Sequence, residues 1–316
     1  MSRTVRLFAL AAAGMFCLVP FALSQNEGQG EGTATVTILP KDSHTSSPDI
    51  SQQTIHVEVN GKQSQITSWQ PLRGAQARVE VVLLIDSGAR TSLGRELEDI
   101  RQFIQSLPPN AKVALASMEN GRAVLAGPLS SDRAKVIEQI HLPAGIPGQS
   151  ASPYFCLSDL AKRWPSNDPA ARREVIMITD GVDYYHPQYD PDDPYVQTAI
   201  RDSIRAHLVV SSIYWRSAGR FDRTWYANNS GQSLLQQVTS ATGGNSYWIG
   251  MGNPVSLSPY FDDFNRRLRN QYELGFTAPT SGRPEMANLK IKINAHNVKV
   301  TSPEKTWLAP GQMAQR

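Results

Sequence analysis

Three short stretches carry residue types that could do chemistry. Leu84-Ile85-Asp86-Ser87-Gly88-Ala89-Arg90 and Ile178-Thr179-Asp180-Gly181-Val182-Asp183 each set an aspartate at the end of an apolar run. Between them, Gly148-Gln149-Ser150-Ala151-Ser152-Pro153 places two serines just ahead of a helical pattern. In open α/β sheets ligands bind outside the carboxyl ends of the strands, where these groups would stand. The same groups also serve as turn and helix caps, the plainer reading of either aspartate taken alone. After Asp183 come Tyr184, Tyr185, Tyr189 and Tyr195, among Asp190, Asp192, Asp193, His186 and the prolines 187, 191 and 194. Tyrosines offer rigid amphipathic contact area and loops carry binding, so this segment is a candidate recognition loop.

Other chemistries find no support. Gly148 to Ser152 lacks the final glycine of a nucleophile elbow and follows a Pro- and Gly-rich loop rather than a strand. The acids after Asp180 do not have the spacing of an EF-hand loop. His44, His56, His141, His186, His207 and His296 are scattered, with no His-Glu-x-x-His helix. Gly28, Gly30 and Gly32 follow no apolar run and are not a nucleotide loop. Cys17 falls in the N-terminal apolar stretch, and Cys156, in the apolar phase of Tyr154-Phe155-Cys156-Leu157, reads as a small hydrophobe. With no nucleophile and base, acid pair or cofactor loop, the expectation is a protein that is not an enzyme.

The elements that must position these residues alternate in period. Val79 to Ile85 and Val175 to Ile178 are apolar runs of the kind buried on both faces of a parallel sheet. Leu93, Leu97, Ile100, Ile104 and Leu107 mark one face of a helix stopped at Pro108-Pro109. Val113–Met118 and Ala123–Leu129 are expected as strands around Asn120-Gly121, and Ser131–Ile140 as a short helix. Ser152 caps a helix opened by Pro153. Helices over Val196–Ala206, Leu234–Thr242 and Pro259–Asn270 and a strand over Leu208–Tyr214 complete the set. The expected class is α/β, a Rossmann-like doubly wound and mostly parallel sheet spanning residues 78–270. Alternation at Val36, Ile38, Ile55, Val57 and Val59, with a turn at Asn60-Gly61, predicts an N-terminal β segment over 34–77. A C-terminal β segment and tail is expected over 271–316, with a turn at His296-Asn297.

At the paired aspartates the chain resembles a von Willebrand factor A-type domain, and more closely the secreted bacterial proteins described as VWFA-related. Val57-Glu58-Val59-Asn60-Gly61-Lys62 and Leu268 to Phe276 extend the resemblance to the flanking segments. It implies a metal-ion-dependent adhesion site in which Asp86 is the first aspartate, Asp180 the last, and Ser152 or Ser150 stands for a threonine. The implied metal ligands are Asp86, Ser152 and Asp180, with Ser87, Arg90, Asp183, Tyr184 and Tyr185 around them as ligand-binding residues. Gly88 and Arg90 occupy the family's two serine positions, so the site is degenerate. A guanidinium about 4 Å from the metal would oppose it by about 4 kcal/mol at an effective dielectric of roughly 20. The expectation is no cofactor, with weak Mg²⁺ binding at most.

The chain has 316 residues and a formal net charge of +3, which gives no electrostatic case for nucleic acid. Arg3, Arg6 and the apolar run from Leu7 to Leu23 have the layout of a secretory signal peptide over 1–24. The run is slightly short of the ~20 residues that span a bilayer, so a membrane contact is expected only if that segment stays uncleaved. Residues 25–33, polar and Gly-rich, are expected to form a flexible leader. The combined expectation is a secreted or periplasmic module that binds a protein or surface ligand through its strand-end loops. The alternative is a structural envelope component with a vestigial site.

Overall fold

The structure, a computed structural model, describes residues 28–42, 50–74, 77–143, 145–146, 148–186, 189–216, 225–250 and 252–310. The signal-like segment lies outside them. Among the described residues no helix is long and apolar enough to cross a membrane.

The chain opens with β1 (Gly28–Pro40), β2 (Ile55–Val59), β3 (Lys62–Gln63) and β4 (Gln65–Pro71). Next come β5 (Val79–Asp86), a 3-10 stretch over Ser87–Glu96, α1 (Leu97–Ser106), β6 (Ala111–Glu119), β7 (Arg122–Leu125) and α2 (Arg133–Ile137). Then follow α3 (Pro153–Lys162), β8 (Arg172–Thr179), α4 (Pro194–Arg205), β9 (Leu208–Tyr214), α5 (Trp225–Thr242), β10 (Ser246–Tyr247) and α6 (Ser258–Leu268). The chain closes with β11 (Gln271–Thr280), β12 (Glu285–Ile293), β13 (Val298–Thr301) and β14 (Lys305–Pro310).

These strands make two sheets. The six-stranded sheet has the order β10-β9-β8-β5-β6-β7. Its pairs are parallel except the β6–β7 hairpin, which turns at Asn120 and Gly121 with φ of 47° and 74°. Successive residues of β5 face opposite sides: Val82 and Leu84 join α3, α4 and α5 in one core, whereas Val79, Val81 and Leu83 join α1, α2 and α6 in another. An unbroken apolar run is therefore what this strand needs. The helical pattern from Leu93 is only partly α-helical, because the chain leaves Asp86 as a 3-10 stretch before α1 begins at Leu97.

The eight-stranded sheet is antiparallel throughout. Strands from both flanking β segments interleave in it, in the order β3-β2-β12-β14-β1-β11-β4, with β13 also pairing β1. Their shared core includes Val36, Ile38, Val57, Leu274, Phe276 and Leu308. The expected flexible leader is corrected, because Gly28 to Thr33 form the first half of β1, paired with β11. Glycine there makes room rather than flexibility: a Cβ on Gly32 would lie 2.6 Å from Phe276 Cε2. The two sheets are joined where β11 leaves α6, through Gln271 Nε2 donating to the buried Glu174 Oε1 at 2.8 Å.

Candidate functional site

Asp86 and Asp180 emerge side by side because β5 and β8 are adjacent parallel strands, with Ile85 opposite Ile178. Ligands of open α/β sheets bind outside this carboxyl edge. Asp86 is 4% exposed and Asp180 2%, so both carboxylates need partners from the chain. Asp86 Oδ1 accepts from Gly88 N–H at 2.8 Å, which starts the 3-10 stretch. Its Oδ2 accepts from Thr179 Oγ1 at 2.8 Å and from Ser150 Oγ at 3.4 Å.

The serine loop is held by the β6–β7 turn, where Asn120 and Gly121 N–H groups donate to the Gln149 and Ser150 carbonyls at 2.8 and 2.9 Å. Ala151, at φ 62°, turns the chain between the two serines and sends them to different acids. Ser152 Oγ donates to Asp183 Oδ2 at 2.8 Å and accepts from Phe155 N–H at 3.4 Å as the cap of α3. Of the two serines expected beside the aspartates, Ser150 reaches Asp86 together with Thr179, and Ser152 reaches Asp183. The side chain of Arg90 lies outside the described residues. Ser87 is buried, with Gly145 against it: a Cβ on Gly145 would lie 2.7 Å from Ser87 Cβ.

Asp180 Oδ1 accepts from Val182 N–H at 3.0 Å, and Gly181 turns with φ 68°. Helix α5 packs directly under this turn, where Gly231 is the one residue small enough: an added Cβ would lie 2.1 Å from the Asp180 carbonyl oxygen. Tyr154 donates its hydroxyl to the Gly181 carbonyl at 2.7 Å. Burial, and then the charges of Asp183, Asp180 and Asp193, push that hydroxyl well above the ordinary tyrosine value. Tyr154 is therefore a fixed donor facing three carboxylates.

Asp183 also accepts from the Tyr185 and His186 N–H groups at 2.8 and 3.3 Å. Burial nevertheless raises its carboxyl, with a smaller push in the same direction from Asp193. Asp193 caps α4 through Tyr195 and Val196 N–H at 2.8 and 3.1 Å and meets His186 Nδ1 at 2.6 Å. That bond with Asp193 raises the His186 imidazole. Outside the acids lies an aromatic rim. Phe155 meets Tyr195 edge-on at 4.6 Å and Tyr185 at 5.4 Å, Tyr184 lies over Gly148, and Tyr185 is 65% exposed.

Sequence reasoning missed Thr179 and Tyr154 as members of this network, and placed Asp193 and His186 in the recognition loop without their bond to each other. Only Asp193 carried a local signal, an Asp-Pro pair at a helix start. The hydroxyls of Ser150, Ser152 and Thr179 each donate their hydrogen to a carboxylate, which leaves their oxygen lone pairs as acceptors. Among the described residues no three of His, Cys, Asp and Glu are grouped to hold a metal ion. Cys156, buried against the Ser150 carbonyl, has its thiol pushed up by burial first and then by Asp86, which removes it as a nucleophile.

No family model and no curated protein matches the chain. Similar solved structures include the conserved hypothetical protein BatB from Bacteroides thetaiotaomicron, at 18% identity and TM-score 0.42, over 60% of this chain and 97% of that one. The VWA domain of SpRpn10 overlaps at 12% identity and TM-score 0.40, over 59% and 95%. The human COPII-coat protein Sec24c overlaps at 10% identity and TM-score 0.44, covering 73% of this chain but only 44% of its own. At such scores the likenesses assign this chain no role.

Proposed function

We propose that this chain is an exported, non-enzymatic binding module of the A-domain type, which recognises a protein or surface ligand through the loops at the carboxyl edge of its parallel sheet. The parallel layer is read as Rossmann-like and doubly wound, and the Asp86 and Asp180 loops as a degenerate metal-ion-dependent adhesion site. The observation that carries the reading is the exposed rim of Tyr184, Tyr185, Tyr189 and Tyr195 on loops whose buried acids are held by hydrogen bonds to the chain. A rigid base under exposed tyrosines is how contact area is offered at low entropic cost. Weak Mg²⁺ is the most this oxygen set would take, through Asp86, Ser152 and Asp180 with water completing the shell. Export rests on residues 1–24 and places the module in the periplasm or outside the cell.

The alternative, a structural envelope component, draws on the antiparallel sheet, whose outer strand β4 pairs, among the described residues, with β11 alone. Affinity capture from the envelope fraction of the producing cell separates the two. A paired loop variant, Tyr184→Ala with Tyr185→Ala, should lose the captured partner while retaining the wild-type unfolding transition. Loss with changes along Gln65–Pro71 instead, and retention with the loop variant, would favour the structural reading.

A further inference from the structure

At the opposite edge of the parallel sheet, where β8 and β9 begin and β1, β11 and β14 meet them, lies a cavity of about 500 Å³. That is the size of a small-molecule site. Its wall carries Arg172, Arg173, Lys305 and His207 against a single carboxylate, Glu273, with Trp307 and Pro303 as apolar surface.

The cations are held by neutral partners. Arg173 donates to the Ala206 and Ser166 carbonyls at 3.2 and 3.4 Å, Arg172 to the Leu268 carbonyl at 3.1 Å and to the Gln271 side chain, and Lys305 to Asn288. Among the described residues none of the three forms an ion pair. Desolvation holds the Arg172 guanidinium below its ordinary value despite Glu174 and Glu273. Desolvation and then Arg173 hold the His207 imidazole below its own. The wall thus gathers positive charge around one carboxylate, and a negative group placed against it gains by Coulomb attraction.

We propose that this cavity binds a small organic anion, with a carboxylate or phosphate among Arg173, Lys305 and His207 and an apolar body against Trp307 and Pro303. The carbonyls that now hold the cations leave their charge standing, whereas an oxyanion would neutralise it and accept charge-assisted hydrogen bonds. The site is remote from the aspartate loops and is independent of what they recognise.

The test uses the full chain and three probes of matched shape: benzoate, phenyl phosphate and the neutral benzyl alcohol. Calorimetry should show one or both anions binding at least about tenfold more tightly than the alcohol. The preferred anion tells a carboxylate source from a phosphate one. Lys305→Gln, which changes a half-buried side chain, should weaken that anion about tenfold, as should Arg173→Gln if its unfolding transition is unchanged. In the wild type, the NMR titration of His207, assigned with His207→Asn, should move upward when the anion is bound. Equal binding of anions and alcohol, no anion binding at millimolar concentration, or wild-type affinity in Lys305→Gln would each overturn the assignment.

Discussion

Glu174 offers a quantitative test of how the two sheets are joined. It sits on β8 with 1% of its surface exposed, and Oε1 accepts from Gln271, the first residue of β11. Burial lifts its carboxyl from 4.5 to about 7, against the Arg172 charge, the Gln271 bond and the Arg267 charge, which lower it. Between those values the folded chain holds a proton that the unfolded chain has released. Stability contributed by the protonated form is therefore present below 4.5 and lost as pH rises to about 7. Each pH unit of that interval is worth about 1.4 kcal/mol, giving about 3 kcal/mol in all. Glu174→Gln keeps the shape and the oxygen that Gln271 needs but removes the charge. Arg172 keeps Glu273 as a neighbouring charge and Arg267 keeps Asp263. Urea unfolding across the range should show the two proteins matched near pH 4 and the variant about 3 kcal/mol more stable near pH 8. Comparing the two curves removes the contribution of every other titrating group. Parallel curves would refute the reasoning, because they would mean that Glu174 is solvated and the sheets do not close over it.

Two further outcomes follow from the carboxyl edge. Gly231→Ala should destabilise by about 1–3 kcal/mol although helix propensity alone favours alanine by roughly 1 kcal/mol, because the new Cβ would meet the Asp180 carbonyl at 2.1 Å; a stabilised variant in urea unfolding would mean that α5 does not pack under the Asp180 turn. Mg²⁺ calorimetry should find weak or absent binding in the native chain and stronger binding with Gly88→Ser and Arg90→Ser together, by restored oxygens and a removed cation; tight native binding would overturn the degenerate-site reading.

Local pattern carried the sequence reading as far as local physics reaches. The apolar runs ending at Asp86 and Thr179, the Asn-Gly turns at 60 and 120 and the Ser152-Pro153 helix start depend on neighbours a few residues apart, and each stands where the sequence puts it. Pairing across the chain was not legible. Gly28 to Thr33 have the composition of a flexible leader, and become strand because β11, more than two hundred residues away, supplies the hydrogen bonds and Phe276 supplies the side chain for their empty faces. The two serines share one short motif, yet the positive φ of Ala151 divides them between Asp86 and Asp183. The charge of the Arg173 wall shows why this must be so: net charge is a sum over the sequence, whereas a cavity's potential depends on which cations fold to its surface without their acids.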